Sequence, residues 1–200
     1  TEFFLADHRV RIGDQGVQKV LPGVAYLEMA REAIPQAGVA AGQAEQLELS
    51  NVIWIRPLTV QDKQDVSIAL FARDENARAE EIIDFSIFSE SRDGQNIHCQ
   101  GEVLLMPVPA PARLDVEYLE AQMTQGRMEG PKLYEALAAM GLNYGPAHQS
   151  LTSIALGERQ LLARLSLPAS VASSDRRQYV LHPSLMDGAL QASVGLMLHG

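Results

Sequence analysis

The sequence predicts an α+β fold in which antiparallel sheets pack against apolar helices, and three observations carry that prediction. Apolar side chains recur at helical spacing over residues 24–34, directly after Pro22 and Gly23. Several later runs have the length and alternation of strands and are separated by charged turns: residues 47–55, 66–71, 82–88 and 97–106. A helix and a sheet each bury one apolar face, so this order predicts a sheet with a helix packed against it.

The third observation is that the second half of the chain contains the same kinds of element. The expected elements there are a helix over residues 131–140, a structured turn over 141–146, two strands within 151–167 and an apolar helix from Pro183 onward. Residues 1–22 add two short strands around a glycine-containing turn at 13–16.

A proline-rich stretch separates the two halves. "PVPAPARLD", residues 107–115, holds three prolines and few large apolar side chains, which is typical of a semi-rigid linker. We therefore expect an N-terminal domain over residues 1–106, a linker over 107–116 and a C-terminal domain over 117–200.

Composition and charge exclude several classes of function. The 200 residues are 46% hydrophobic and carry a formal net charge of −9, whereas nucleic-acid binding needs a basic surface. No apolar run approaches the roughly 18 residues that span a bilayer, and the first residues carry no secretory signal. The start lacks a Met, so we expect a segment cut from a longer polypeptide. Cys99 is the one cysteine, which excludes an intrachain disulfide and favours a reducing, cytoplasmic setting.

Four stretches of sequence carry a family resemblance. They are "DHRV" with "VLPGVAYLEMA" near the start, "IHCQGEVLL" over 97–105, "GLNYGPAHQ" over 141–149 and "LHPSLMDGALQ" over 181–191. In these stretches the chain resembles the dehydratase domain of modular type I polyketide synthases, and most of all the trans-acyltransferase type. The resemblance implies a double hot dog, in which two antiparallel sheets are each wrapped on a central helix. Residues 1–106 would form the N-terminal hot dog and residues 117–200 the C-terminal one, which we expect to be incomplete at its C-terminus.

The resemblance implies a dehydration, with His8 and Asp187 at the positions of the family's catalytic pair. Removing a proton from Cα of a 3-hydroxyacyl thioester suits a base that titrates near neutrality, and expelling hydroxide from Cβ suits a carboxylic acid. No cofactor or metal is expected, because these two side chains supply the proton transfers. The substrate is expected on the phosphopantetheine of an acyl carrier protein. Neighbouring synthase domains and a second copy of the chain are the other partners that the family implies. Neither nucleic acid nor a membrane is expected as a partner.

Four further residues are expected to support this pair. Gln191 follows Asp187 by four residues, so both lie on one helix face and the amide can hold the carboxyl group. Pro22 suits a first helical turn, and an N–H group such as that of Gly23 can polarise the thioester carbonyl as charge develops on it. Tyr144 is similar to a family residue beside the substrate. Asp187 lies near the start of the helix that begins at Pro183, where the helix dipole favours its ionised form. To act as an acid, Asp187 therefore requires a desolvated pocket that raises its pKa.

The histidine motif departs from the family pattern, and two alternatives to dehydration stay open. That pattern is His, three residues, Gly, four residues and Pro, whereas Ile12 lies four residues after His8 and Pro22 fourteen after it. One alternative is a double-bond isomerase or a pyran-forming cyclase on the same fold, against which the retained Asp187 favours dehydration. The other is a non-catalytic structural hot-dog module that serves dimerisation or docking.

The remaining histidines receive plainer interpretations. His182 is expected to cap or pack. Metal binding is not expected at His98, His148 or His199, since none has a carboxylate or a cysteine at the spacing of metal ligands.

Overall fold

The computed structural model describes residues 2–38, 45–73, 81–92, 94–107, 113–171 and 178–197. Its helices, in chain order, are α1 (Phe3–Ala6), α2 (Gly23–Gln36), α3 (Val116–Ala121), α4 (Gly130–Ala139), α5 (Pro183–Ala192) and α6 (Val194–Met197). Its strands are β1 (His8–Arg11), β2 (Val17–Lys19), β3 (Glu45–Trp54), β4 (Ser67–Ala72), β5 (Glu81–Ser91), β6 (Gly94–Pro107), β7 (Gly126–Glu129), β8 (Leu142–Tyr144), β9 (Leu151–Gly157) and β10 (Gln160–Leu165).

The chain divides into two compact units. One consists of Thr1–Val24 with Ala112–Gly200, and the other of Ala25–Pro111. The sequence-based boundaries at residues 106 and 117 stay a prediction, and residues 108–112 of the expected linker lie outside the described part of the chain.

The unit of Ala25–Pro111 contains a four-stranded antiparallel sheet in the order β3-β6-β5-β4. Alternate side chains of β5 are buried, at Ile83, Phe85 and Ile87, as expected for a strand with one face on a core. Helix α2 supplies its own buried face, and its Tyr26 ring stacks on His98 of β6 with centroids 6.5 Å apart. These elements confirm the predicted helix and the predicted strands of this region.

The other unit is built around a second antiparallel sheet, in the order β10-β9-β7. Its core consists of the buried residues Leu133, Leu137, Leu151, Ile154, Leu156 and Ala192. Leu133 and Leu137 are four residues apart on α4, so both point from one helix face into that core. Helix α5 contributes Ala192, which brings this helix onto the same sheet.

A small third sheet, in the order β2-β1-β8, joins the N-terminal hairpin to the segment after α4. Strand β1 pairs with β2 through Arg9↔Lys19 and with β8 through His8↔Tyr144. Gly13 and Gly16 have φ angles of 47° and 79°, a left-handed conformation that glycine adopts at little cost, so the lengthened segment closes as a tight turn. The extra residues therefore form a hairpin that brings Val20 back beside His8.

The structure corrects the sequence analysis in three places. The segment 141–146, expected as a turn, contains strand β8, because its backbone pairs with β1 far away in sequence. Helix α2 begins at Gly23, so Pro22 precedes the first helical residue, and it extends past Pro35 to Gln36. The short elements α1, α3 and β7 were not predicted, since none carries a periodic apolar pattern long enough to detect.

Candidate active site

Strand pairing places His8 against the end of β8. His8 starts β1 opposite Tyr144, and their ring centroids lie 5.5 Å apart. The preceding Asp7 fixes the next turn, because its carboxylate accepts a hydrogen bond from the Ala147 amide at 2.8 Å. Gly145 permits this approach, since a Cβ there would stand 2.4 Å from Cγ of Asp7. The pairing thus joins the histidine motif to the Tyr-Gly-Pro segment.

The hydrogen on the His8 ring is fixed by a backbone carbonyl. Nδ1 of His8 lies 2.8 Å from the Val20 oxygen, and a carbonyl oxygen accepts only, so Nδ1 carries the hydrogen. The neutral ring therefore has its lone pair on Nε2. Burial lowers the pKa of His8, an effect that outweighs the opposing influence of the Asp187 charge and of the Val20 hydrogen bond. Burial therefore favours the neutral form of the His8 ring.

Helix α5 carries polar side chains on its buried face. Asp187 and Gln191 are 5% and 3% exposed, on a stripe that otherwise packs into the core. His182 caps the helix start, since its Nδ1 accepts a hydrogen bond from the Ser184 amide at 3.2 Å, which agrees with its expected capping role. Gly188, next to Asp187, brings the helix close to Ser150, whose Oγ would lie 2.1 Å from a Cβ at that position.

The Asp187 carboxyl group is held by a chain of hydrogen bonds that starts at a backbone amide. The Leu151 N–H donates to the Tyr134 hydroxyl at 3.0 Å, and that hydroxyl donates to Oε1 of Gln191 at 3.0 Å. The amide nitrogen of Gln191 then donates to Oδ2 of Asp187 at 2.7 Å. Because an N–H can only donate, the chain has one direction, and it orients the nitrogen of Gln191 toward Asp187.

His148 is the site residue that the sequence analysis missed. It is fully buried at the end of the 3-10 turn Pro146–His148, with Nδ1 3.2 Å from Oδ2 of Asp187 and Nε2 3.0 Å from the Phe4 oxygen. Its ring centroid lies 5.5 Å from that of His8. Metal-ligand spacing was the wrong criterion for this residue, because its partner stands 39 residues away on another helix. Tyr134, the anchor of Gln191, was missed for the same reason.

The structure brings together four of the six residues predicted from sequence: His8, Tyr144, Asp187 and Gln191. Burial and the Asp187 charge raise the pKa of Tyr144, so its hydroxyl stays protonated and can donate a hydrogen bond. Pro22 is buried ahead of α2, and Gly23 is the first residue of that helix. The expected actions of Pro22 and Gly23 on a substrate stay predictions.

The other reactive side chains of the described residues have structural surroundings. Burial raises the pKa of the Cys99 thiol to about 11, which suits a packing residue. His98 bonds to the hydroxyl of Ser89 and to the Arg56 oxygen. No group of three His, Cys, Asp or Glu side chains in the described ranges could hold a metal ion, and none of the helices described there is long and apolar enough to cross a membrane. His199 lies outside those ranges.

Two apolar helices on antiparallel sheets, with a buried histidine and a buried aspartate from opposite ends of the chain, define a double hot-dog protein with an acid–base site. The chain belongs to the polyketide synthase dehydratase family. The family model described as "Polyketide synthase dehydratase domain" matches residues 1–90. The model described as "Polyketide synthase dehydratase N-terminal domain" matches residues 115–200. The predicted family and the predicted fold are both confirmed.

Individual relatives agree with this assignment. The solved structure of a trans-AT PKS dehydratase domain from Brevibacillus brevis is 40% identical, with a TM-score of 0.87 over 99% of this chain and 67% of that one. The dehydratase domain from the CurF module of curacin polyketide synthase is 25% identical, with a TM-score of 0.83 over 98% of this chain and 67% of that one. The polyketide synthase PksM of Bacillus subtilis is 37% identical over 99% of this chain, which spans 4% of that synthase.

Proposed function

We propose that this protein removes water from a 3-hydroxyacyl thioester during polyketide biosynthesis and leaves the α,β-unsaturated thioester. The observation that carries the proposal is the buried, neutral His8, whose Nδ1 hydrogen is committed to the Val20 oxygen. Its Nε2 is therefore a base that needs no prior deprotonation, beside a cluster that centres on a buried carboxyl group.

Each site residue has a distinct task in this proposal. His8 takes the proton from Cα through Nε2, while Asp187 gives a proton to the hydroxyl that leaves Cβ. Gln191 holds the Asp187 carboxyl group through the 2.7 Å hydrogen bond, and the Tyr144 hydroxyl donates to the reacting region of the substrate. Gly23, at the start of α2, would stabilise the thioester oxygen as charge develops on it, with Pro22 setting the helix entry.

The proposal extends to how the substrate arrives. An acyl carrier protein would present the acyl group on its phosphopantetheine arm, and no further cofactor or metal would take part. Neighbouring synthase domains and a second copy of this chain are the other proposed partners. A cytoplasmic location stays a prediction.

The first experiment incubates the purified protein with a 3-hydroxyacyl carrier protein and follows the mass of the acyl group. The expected result is loss of one water. His8→Asn keeps a donor for the Val20 oxygen but has no base, and Asp187→Asn keeps the shape of the carboxyl group but has no acidic proton. Both variants are expected to lose the reaction, whereas His98→Asn changes a buried histidine outside this cluster and should retain it.

The alternative functions give different results in the same experiment. An unchanged mass with a moved double bond or a shifted elution time would contradict dehydration and indicate an isomerase or a pyran-forming cyclase. An unchanged acyl group with folded protein would indicate a structural module. Water loss that persists in Asp187→Asn would refute the proposed acid.

A further inference from the structure

Both ring nitrogens of His148 have a hydrogen-bond partner, one a backbone carbonyl and the other a carboxyl group. Its Nε2 lies 3.0 Å from the Phe4 carbonyl oxygen, which can only accept, so Nε2 carries a hydrogen. Its Nδ1 lies 3.2 Å from Oδ2 of Asp187, and both residues are buried. With its hydrogen on Nε2, a neutral His148 presents a lone pair to Asp187.

This geometry requires one more hydrogen between the two residues. A carboxylate beside a neutral ring would place two lone pairs against each other 3.2 Å apart in a buried site. Moving the ring hydrogen to Nδ1 would relieve that contact but set a lone pair against the Phe4 oxygen. An imidazolium with a carboxylate, or a neutral ring with a carboxylic acid, satisfies both contacts, and each contains the same extra hydrogen.

We propose that His148 is a positioning residue that keeps one hydrogen between its Nδ1 and Oδ2 of Asp187, so that the pair is the acid of the reaction. This inference rests on the proposed dehydration and extends it, because it names where the delivered proton is stored. Gln191 cannot take this place, since its amide donates to Oδ2 in either protonation state.

The proposed step balances without another reactant. The Cα–H electron pair becomes the new C=C bond while the proton goes to Nε2 of His8. The Cβ–O bond breaks with its electrons on oxygen, which takes the shared hydrogen and leaves as water. The pair is then a carboxylate beside a neutral His148, and it regains a hydrogen as His8 loses one to solvent. The repulsion between lone pairs in the spent state drives this return.

The groups around the pair come from three elements and from the residue that precedes β1. His8 faces it from β1, Tyr144 from β8 and Tyr134 from α4, while the Asp7 carboxylate bonds to the neighbouring Ala147 amide. Burial raises the pKa of Tyr134 to about 12 and that of Tyr144 as well, so neither tyrosine ionises near neutral pH.

The test is the pH dependence of kcat/KM in the wild type and in His148→Asn. An asparagine amide at this place can donate to a carboxylate or accept from a carboxylic acid, so it removes the need for the shared hydrogen. We expect the alkaline limb to move to lower pH by about one unit or more, with activity below the limb within about tenfold of the wild type. His98→Asn, a matched change of another buried histidine, should leave the limb in place.

A second variant and a spectroscopic measurement keep the outcome clear if His148→Asn folds poorly. His148→Gln can still donate to the Phe4 oxygen but cannot reach Asp187 as Nδ1 does, and the same limb shift is expected. In protein with ¹⁵N-labelled histidine, the shared hydrogen should give a strongly deshielded proton resonance that disappears in Asp187→Asn and in His148→Gln. An unmoved limb in both His148 variants, or a missing resonance in active wild type, would overturn the inference. A wild type that never releases water would instead refute the proposed function.

Discussion

Removal of the Tyr134 hydroxyl is the sharpest test of how the Asp187 carboxyl group is held. That oxygen accepts from the Leu151 amide and donates to Gln191, each at 3.0 Å. Tyr134→Phe leaves the aromatic ring in the core, so the change is confined to these two hydrogen bonds and a longer one, of 3.4 Å, from the same hydroxyl to the His148 oxygen. The Leu151 N–H then loses its acceptor, which costs about 1–3 kcal/mol for a buried donor.

This magnitude is measurable in unfolding experiments. In a chain of this size, each kcal/mol lost from the free energy of unfolding lowers Tm by roughly 2–4 °C. Activity is expected to fall as well, because the Gln191 amide loses one of the two partners that orient it, the other being the His148 oxygen, which accepts from its nitrogen at 3.2 Å. Loss of that orientation is worth about one hydrogen bond, or roughly tenfold in kcat.

The assay combines thermal unfolding with single-turnover kinetics on a 3-hydroxyacyl carrier protein. Tyr118→Phe is the matched control, since it removes a tyrosine hydroxyl from a residue that is 65% exposed on α3, outside the site. That control should leave both Tm and kcat unchanged. If Tyr134→Phe behaves like Tyr118→Phe in both measurements, the hydrogen-bond chain from Leu151 does not orient Gln191.

Three further predictions test the packing and the charge of the site. Gly188→Ala should destabilise the protein by about 1–3 kcal/mol, because its Cβ would meet Oγ of Ser150 at 2.1 Å, and adding Ser150→Ala should recover part of that loss in a double-mutant cycle. Gly145→Ala should lower both Tm and kcat, since its Cβ would overlap the Asp7 carboxyl group at 2.4 Å and push the turn away from β1. Folding lowers the pKa of His8, so the unfolded chain binds more protons than the folded one just below pH 6.5. The free energy of unfolding should therefore fall as the pH drops through that value. His8→Asn should flatten this dependence on pH, measured by urea titrations at several pH values.

The fold was predictable because its helices and strands carry strong local patterns. Helix α2 and strand β5 show periods of 3.6 and 2 over many residues, and the observed elements follow them closely. Strand β8 has three residues and no such pattern, so it exists through pairing with β1. Contacts of that kind depend on residues more than 100 positions apart, which local reasoning does not reach.

The candidate site was predictable where a motif spacing maps onto one helix. Asp187 and Gln191, four residues apart on α5, make the contact that this spacing predicts. His148 and Tyr134 escaped prediction because their partners lie on other elements. A signal for His148 was nevertheless present, since it directly precedes Gln149 in the segment that resembles the family's Tyr-Gly-Pro motif. For a histidine inside such a motif, the useful question is which carboxyl group it can share a proton with, and not whether metal ligands lie nearby in sequence.

Three main-chain groups determine the chemical state of the site, and two of them, at Phe4 and Leu151, lie outside the four stretches that carry the family resemblance. The Val20 oxygen keeps the hydrogen of His8 on Nδ1, and the Phe4 oxygen keeps that of His148 on Nε2. The Leu151 N–H sets the direction of the chain that ends at Asp187. Because a carbonyl can only accept and an amide N–H can only donate, these groups decide which side-chain nitrogen holds a lone pair. Substitution of Phe4, Val20 or Leu151 leaves these groups in place, so the acid–base pattern tolerates sequence change at those three positions as long as the backbone keeps its path.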